Sequence, residues 1–201
     1  MIIKCYNESH PYLVFFDIEF NNKDLVQFAG LLFRSIDDET YQLVRSCNQY
    51  VTTNVCYPFM EYTNITNTFL NENGIRLNDL ITIINDDFLD GVNLADVEFI
   101  SHGLRNDRLI LQENGINFIS IADGDKNVPI DGYCTFNNAK RILKREKNLT
   151  AADLAEECGY YLHHAHNAFN DVWAEVAIFT YLKKIEEQNI QESENNNNEL
   201  S

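Results

Sequence analysis

The sequence predicts an α/β fold: a five-stranded mixed sheet, an antiparallel meander joined to parallel strands, with helices packed on it. Residues 14–20, 25–34 and 41–51 are apolar segments divided by short polar turns, the pattern of consecutive antiparallel strands. From residue 77 onward, helix-period segments alternate with short apolar runs at residues 97–101 and 116–121, the pattern of strand-helix-strand units. A chain of 201 residues with 45% hydrophobic content fills one sizeable core, so residues 1–185 read as a single domain.

The stretch Val14-Phe15-Phe16-Asp17-Ile18-Glu19-Phe20 is the expected central strand. Side chains alternate along a strand, so Asp17 and Glu19 leave one face with Phe15, while Phe16 and Ile18 leave the other. Two carboxylates on a partly buried face need a proton or a cation to offset their repulsion and desolvation. Pro58 then interrupts the pattern, and residues 59–73 have weak helical spacing up to Gly74. Residues 77–89 form a clearer helix, with Leu80, Ile81, Ile84 and Phe88 on one stripe and Gly91 beyond its end.

After the fourth strand, at residues 97–101, residues 108–112 continue as helix before Gly115. The helical segment 134–147 carries the concentrated basic patch Lys140, Arg141, Lys144, Arg145 and Lys147, which is either a solvated face or a phosphate contact. Thr150 and Asp153 have capping-box spacing ahead of another helix. A last helix from about Phe169 presents Val172, Trp173, Val176, Phe179 and Leu182 to the core. Residues 186–201 lose apolar content and read as a disordered acidic, Asn-rich tail.

Fifteen basic against thirty-one acidic residues give a net charge of −16, which argues against a general phosphate-binding surface or attraction to anionic membranes. Any nucleic-acid contact must then be local, aided by cations or a small Lys/Arg cluster. Five scattered cysteines without a CxxC pair fit reduced thiols better than a disulfide framework. The N-terminus lacks a signal-peptide core, and no apolar run approaches the roughly 20 residues needed to span a bilayer, so a cytoplasmic protein is expected. His163, His164 and His166, with Cys158, would make a poor structural zinc site, because no second Cys/His pair stands at suitable spacing. Phe20 and Tyr160, beside predicted strands and helices, read as core rather than as base-stacking groups.

Asp17 and Glu19 on the strand, Asp107 after the fourth strand, and His166 with Asp171 before the last helix are each ordinary alone. Their order and contexts resemble the DEDDh subgroup of DnaQ-like 3′→5′ exonucleases. Phe16-Asp17-Ile18-Glu19 is similar to the first family motif, D-x-E; Ser101-His102-Gly103-Leu104-Arg105-Asn106-Asp107 to the second, H-N-x-x-F-D; and His166-Asn167-Ala168-Phe169-Asn170-Asp171 to the third, H-x-A-x-x-D. Thr63-Asn64-Ile65-Thr66 resembles the family's T-G-I-T, and residues 149–159 its L-x-x-L-A-x-x-x-G helix. Three positions depart from the pattern: Phe20 where many relatives have Thr, Gly103 where Asn is usual, and Asn106 where Phe is usual.

The resemblance implies a ribonuclease-H-like fold and a metal-dependent exonuclease acting at the 3′ end of single-stranded DNA or RNA and releasing nucleoside 5′-monophosphates. It also implies that Asp17, Glu19, Asp107 and Asp171 hold two divalent ions, and that His166 is the general base. Four carboxylates suit the hard cations Mg²⁺ or Mn²⁺, and an imidazole suits proton transfer near neutral pH. A flexible lead-in to the helix brings His166 and Asp171 together, since five residues along a regular helix turn by about 500°. The alternative is a non-cutting adaptor that keeps the fold to hold nucleic-acid ends or a protein partner. A protein partner in a polymerase or processing complex is compatible with either.

Overall fold

A computed structural model of the chain describes residues 1–6, 8–117, 132–145 and 149–198. The short strand β1 (Ile2–Lys4) is followed by the meander β2 (Tyr12–Asn21), β3 (Asp24–Ser35) and β4 (Thr40–Tyr50). Asn22, with φ 59°, makes the tight turn between β2 and β3, a conformation Asn tolerates better than most residues. Pro58 falls in the first turn of α1 (Tyr57–Thr63), where its missing N–H is harmless, so it starts a helix instead of only breaking a strand.

Next come α2 (Asn67–Asn73), capped by the Thr66 side chain accepting from the Phe69 N–H, and α3 (Leu77–Thr82). α3 runs on into a wider π turn over Ile83–Phe88. β5 (Val97–Ser101) leads into α4 (Leu104–Glu113), and β6 (Tyr133–Cys134) into α5 (Thr135–Ile142). α6 (Ala151–Glu157) begins with the reciprocal capping box of Thr150 and Asp153, as the spacing predicts. The long α7 (Ala168–Asn198) closes the fold.

The sheet is mixed, in the order β1-β4-β3-β2-β5-β6, with β2 central: antiparallel to β3 and parallel to β5. Among the described residues it has six strands rather than five. β1 was not legible because three residues, two of them exposed, are too few to show a period. The place beside β5 is taken by β6, not by the strand expected at residues 116–121. Ile116 is buried in a core cluster without joining a strand, and residues 118–121 lie outside the described residues.

Alternation along β2 divides the core as predicted. Phe15 packs with Phe33 and Phe179 edge-to-face at 5.5 and 5.3 Å, on the side covered by α5, α6 and α7. Val14, Phe16 and Ile18 pack on the other side against Leu80, Ile84 and Phe88, joined by Leu104 and Leu111 of α4. Gly30 of β3 makes room for the Phe88 ring there, since a Cβ would stand 2.8 Å from it. Asp17 and Glu19 therefore face the α7 side.

α7 continues to Asn198, across residues whose composition predicts a tail without structure. The buried first half supplies the nucleus, and Glu and Gln, which are good helix formers, carry the helix onward at little cost. All five cysteines are free, and no helix among the described residues is long and apolar enough to cross a membrane.

Candidate active site

All five expected site residues line one cleft of about 880 Å³. Asp17 and Glu19 reach it from β2, immediately before a register shift against β3 that follows Glu19. Asp171 reaches it from the first turn of α7, where a negative charge complements the helix dipole. One ligand oxygen from each of Asp17, Glu19 and Asp171 lies within 4.8 Å of the others.

Asp107, in the first turn of α4, borders the same cleft but is not part of that triplet. The Ser101 hydroxyl donates to its carboxylate across the β5–α4 turn. His166 lies just before α7 with φ 68°, and its backbone N–H donates to Asp171 Oδ2 at 2.9 Å. The backbone of the lead-in, not a helical turn, thus brings these two residues together.

The carboxylates are electrostatically frustrated. Burial, followed by the charges of Asp107, Asp171 and Glu19, pushes the Asp17 carboxyl well above its ordinary range. Burial and the charges of Asp171 and Asp107 push Glu19 up to about 8, and burial pushes Asp171 up to about 6. Asp107 is also raised by burial, against the lowering effect of the Ser101 hydroxyl and the Gly103 backbone. Burial moves the His166 imidazole the other way, below its usual value. Among the described residues lining the cleft, Arg105 is the only Lys or Arg set against these acids.

Several contributors were not legible in sequence. Glu175, one turn beyond Asp171 on α7, is 1% exposed and lines the cleft; burial and the charge of Asp17 raise its carboxyl well above the normal range. Tyr62 of α1 lies against the His166 ring, with centroids 3.7 Å apart. Gln27, paired in register with Glu19 and fully buried, accepts the Ala168 N–H at 3.1 Å and so fixes the start of α7. The far wall includes His102, Phe136, Leu149 and Leu162, an apolar and ring-bearing surface beside the acids. His102 Nδ1 is 3.0 Å from Thr135 Oγ1, and the His102 ring meets Phe136 edge-on.

Other expectations resolve locally. In the basic patch, Arg141 pairs with Glu186 and Arg145 with Glu157, while Lys140 stands over the Phe136 ring; Lys147 lies outside the described residues. The two arginines are thereby committed to acidic partners. His163 and His164 are exposed, and neither they nor Cys158 belongs to a group of convergent ligand atoms among the described residues. Tyr160 packs against the core as expected, whereas Phe20 is 38% exposed, because it follows the register shift at the end of β2.

No protein-family model matches the chain, and no curated protein sequence matches it. Solved structures do. A 3′-exonuclease described for 3′-end-specific recognition of a histone mRNA stem-loop has a TM-score of 0.66 at 10% identity, covering 89% of this chain and 84% of that one. The nuclease domain of 3′hExo, a DEDDh family member bound to rAMP, has a TM-score of 0.62 at 13% identity, covering 85% and 92%. Exonuclease X in complex with 5′-overhanging duplex DNA has a TM-score of 0.57 at 16% identity, covering 86% and 91%. The chain shares the α/β fold of these solved exonucleases.

Proposed function

We propose that the protein is a metal-dependent 3′→5′ exonuclease that hydrolyses the terminal phosphodiester of single-stranded DNA or RNA and releases nucleoside 5′-monophosphates. The observation that carries this reading is the convergence of Asp17, Glu19 and Asp171 within 4.8 Å, in a cleft they share with Asp107 and His166, on a fold whose solved examples include 3′-exonucleases.

The residues fit hard divalent cations. Their donors are carboxylate oxygens, their mutual repulsion calls for positive charge, and Glu175 Oε2 beside them is a buried oxygen with no hydrogen-bond partner among the described residues. Asp17, Glu19, Asp107 and Asp171 would hold Mg²⁺ or Mn²⁺, which when bound supplies positive charge to the reacting phosphate and acidifies the attacking water.

His166, kept neutral at neutral pH by its lowered pKa, accepts a proton from that water at a ring nitrogen as the water oxygen bonds to phosphorus. The bond from phosphorus to the 3′ oxygen of the preceding nucleotide breaks, and that oxygen leaves as a hydroxyl after protonation by solvent. The ring-bearing wall of His102, Phe136 and Leu149 offers a surface for the terminal base and sugar, and Arg105 a charge for the backbone phosphate.

The test is digestion of matched DNA and RNA oligonucleotides, labelled at either end, with Mg²⁺, Mn²⁺ or chelator. Stepwise shortening from the 3′ end with release of mononucleotides is expected, and His166→Ala should slow it by about 10²–10⁴-fold. No metal-dependent loss from the 3′ end of either polymer would sink the proposal. Tight binding without cutting would favour the adaptor reading instead.

A further inference from the structure

Glu175 lies in the most deeply packed part of α7, between the buried residues Ala174 and Val176. The two oxygens of its carboxylate have different surroundings. Oε1 accepts the His102 backbone N–H at 2.8 Å, tying α7 to the turn after β5. Oε2 is also buried, and among the described residues it receives no hydrogen bond. The residue borders the cleft together with Asp17, Glu19, Asp107 and Asp171, and follows Asp171 by one helical turn, so both project from the same face of α7.

A clasp on the His102 N–H alone does not account for a carboxylate here. Glutamine would accept the same N–H with its carbonyl, and its amide could donate to a neighbouring acid. When ionised, a carboxylate puts a buried negative charge in the cleft and leaves one oxygen without a donor, an arrangement that is costly unless positive charge is nearby. Hydrated divalent cations provide that charge, and they retain waters whose hydrogens need acceptors.

We propose that Glu175 is a fifth carboxylate of the cation site: Oε1 fixes the His102 turn, and Oε2 serves as a buried acceptor for the hydration of the ions held by Asp17. The inference rests on the metal-dependent reading of the cleft. Residues that orient a metal's ligands and waters typically change metal affinity by about 10–100-fold when altered.

The experiment is calorimetric titration of Mn²⁺ into the full chain without nucleic acid, for the wild type, Glu175→Gln and Asp17→Asn, with melting of each metal-free protein alongside. Glu175→Gln should weaken Mn²⁺ binding by about tenfold or more. Its metal-free melting temperature should equal or exceed that of the wild type, because the amide has no charge to desolvate beside Asp17 and the His102 N–H keeps its acceptor. A smaller loss of affinity in Glu175→Gln, with the wild type binding normally, overturns this inference and leaves the nuclease reading standing. A wild type that binds no Mn²⁺ overturns both. Should Glu175→Gln fail to fold, Mn²⁺ broadening of the wild-type Glu175 side-chain carboxyl ¹³C resonance decides: broadening at substoichiometric metal supports the assignment, and an unaffected resonance overturns it.

Discussion

Tyr62 lies against His166 with ring centroids 3.7 Å apart and the planes tilted by 32°, although the two residues are far apart in sequence. Tyr62 is 62% exposed on α1, and His166 stands on a lead-in where both His164 and His166 have positive φ. A loop of that kind does not hold an imidazole in one orientation unaided. The stacked phenol limits the ring's freedom from one face. Tyr62→Ala should therefore lower kcat by up to about tenfold, the value of an aromatic pair of about 0.5–1.5 kcal/mol. Tyr62→Phe, which keeps the ring, should stay near wild type. Equal damage from the two substitutions would assign the effect to the hydroxyl and reject the stacking argument.

The raised carboxyls make a pH prediction with a definite sign. Glu19 near 8 and Asp171 near 6 in the metal-free fold, against about 4 in an unfolded chain, mean that the folded protein binds more protons than the unfolded one between those values. These groups make metal-free stability fall as pH rises from about 5 to 8, the opposite of a carboxylate held by a salt bridge. Cation binding must displace the same protons, so metal affinity should increase over this interval. Melting curves in chelator should shift to lower temperature between pH 5 and 8, and Mg²⁺ or Mn²⁺ should raise the melting temperature most at the alkaline end. A metal-induced shift that is constant with pH would mean that Glu19 and Asp171 are not among the groups neutralised.

The parts legible in sequence were those with a strong local pattern. β2 announced itself by an apolar run interrupted by two acids, and the capping box of α6 by residue types three apart. β1 and β6 have three and two residues and no measurable period, so only pairing with β4 and β5 defines them. Asp17, Glu19 and Asp171 were found because the family motifs name them, and the fold brings them together. Glu175 and Gln27 were hidden for a different reason. A Glu within a helix and a Gln within a strand ordinarily mark the solvated face, and nothing local shows that these two are among the most buried side chains in the protein. Tyr62 was hidden because its role depends on a long-range contact.

Gln27 gives the last prediction. Its Oε1 accepts the Ala168 N–H at 3.1 Å, and its Nε2 donates to Asn48 Oδ1 at 2.9 Å and to Asn167 Oδ1 at 3.4 Å. Asn167 in turn accepts the Phe169 N–H at 3.2 Å and donates to the Tyr50 hydroxyl at 3.0 Å. The sheet thereby grips the first turn of α7, from which Asp171 projects and before which His166 lies. Gln27→Leu conserves most of the volume but leaves the buried Ala168 N–H without this partner, a cost of about 1–3 kcal/mol. Urea unfolding should show a lower midpoint with an unchanged slope. Turnover should fall as well, because the same bonds locate Asp171 and His166. Gly30→Ala separates the two effects: it crowds Phe88 on the opposite face of β3, with an expected cost of about 1–3 kcal/mol, and does not touch α7. At a temperature where both variants are fully folded, Gly30→Ala should keep wild-type turnover and Gln27→Leu should not; equal turnover in the two would reduce the role of Gln27 to stability alone.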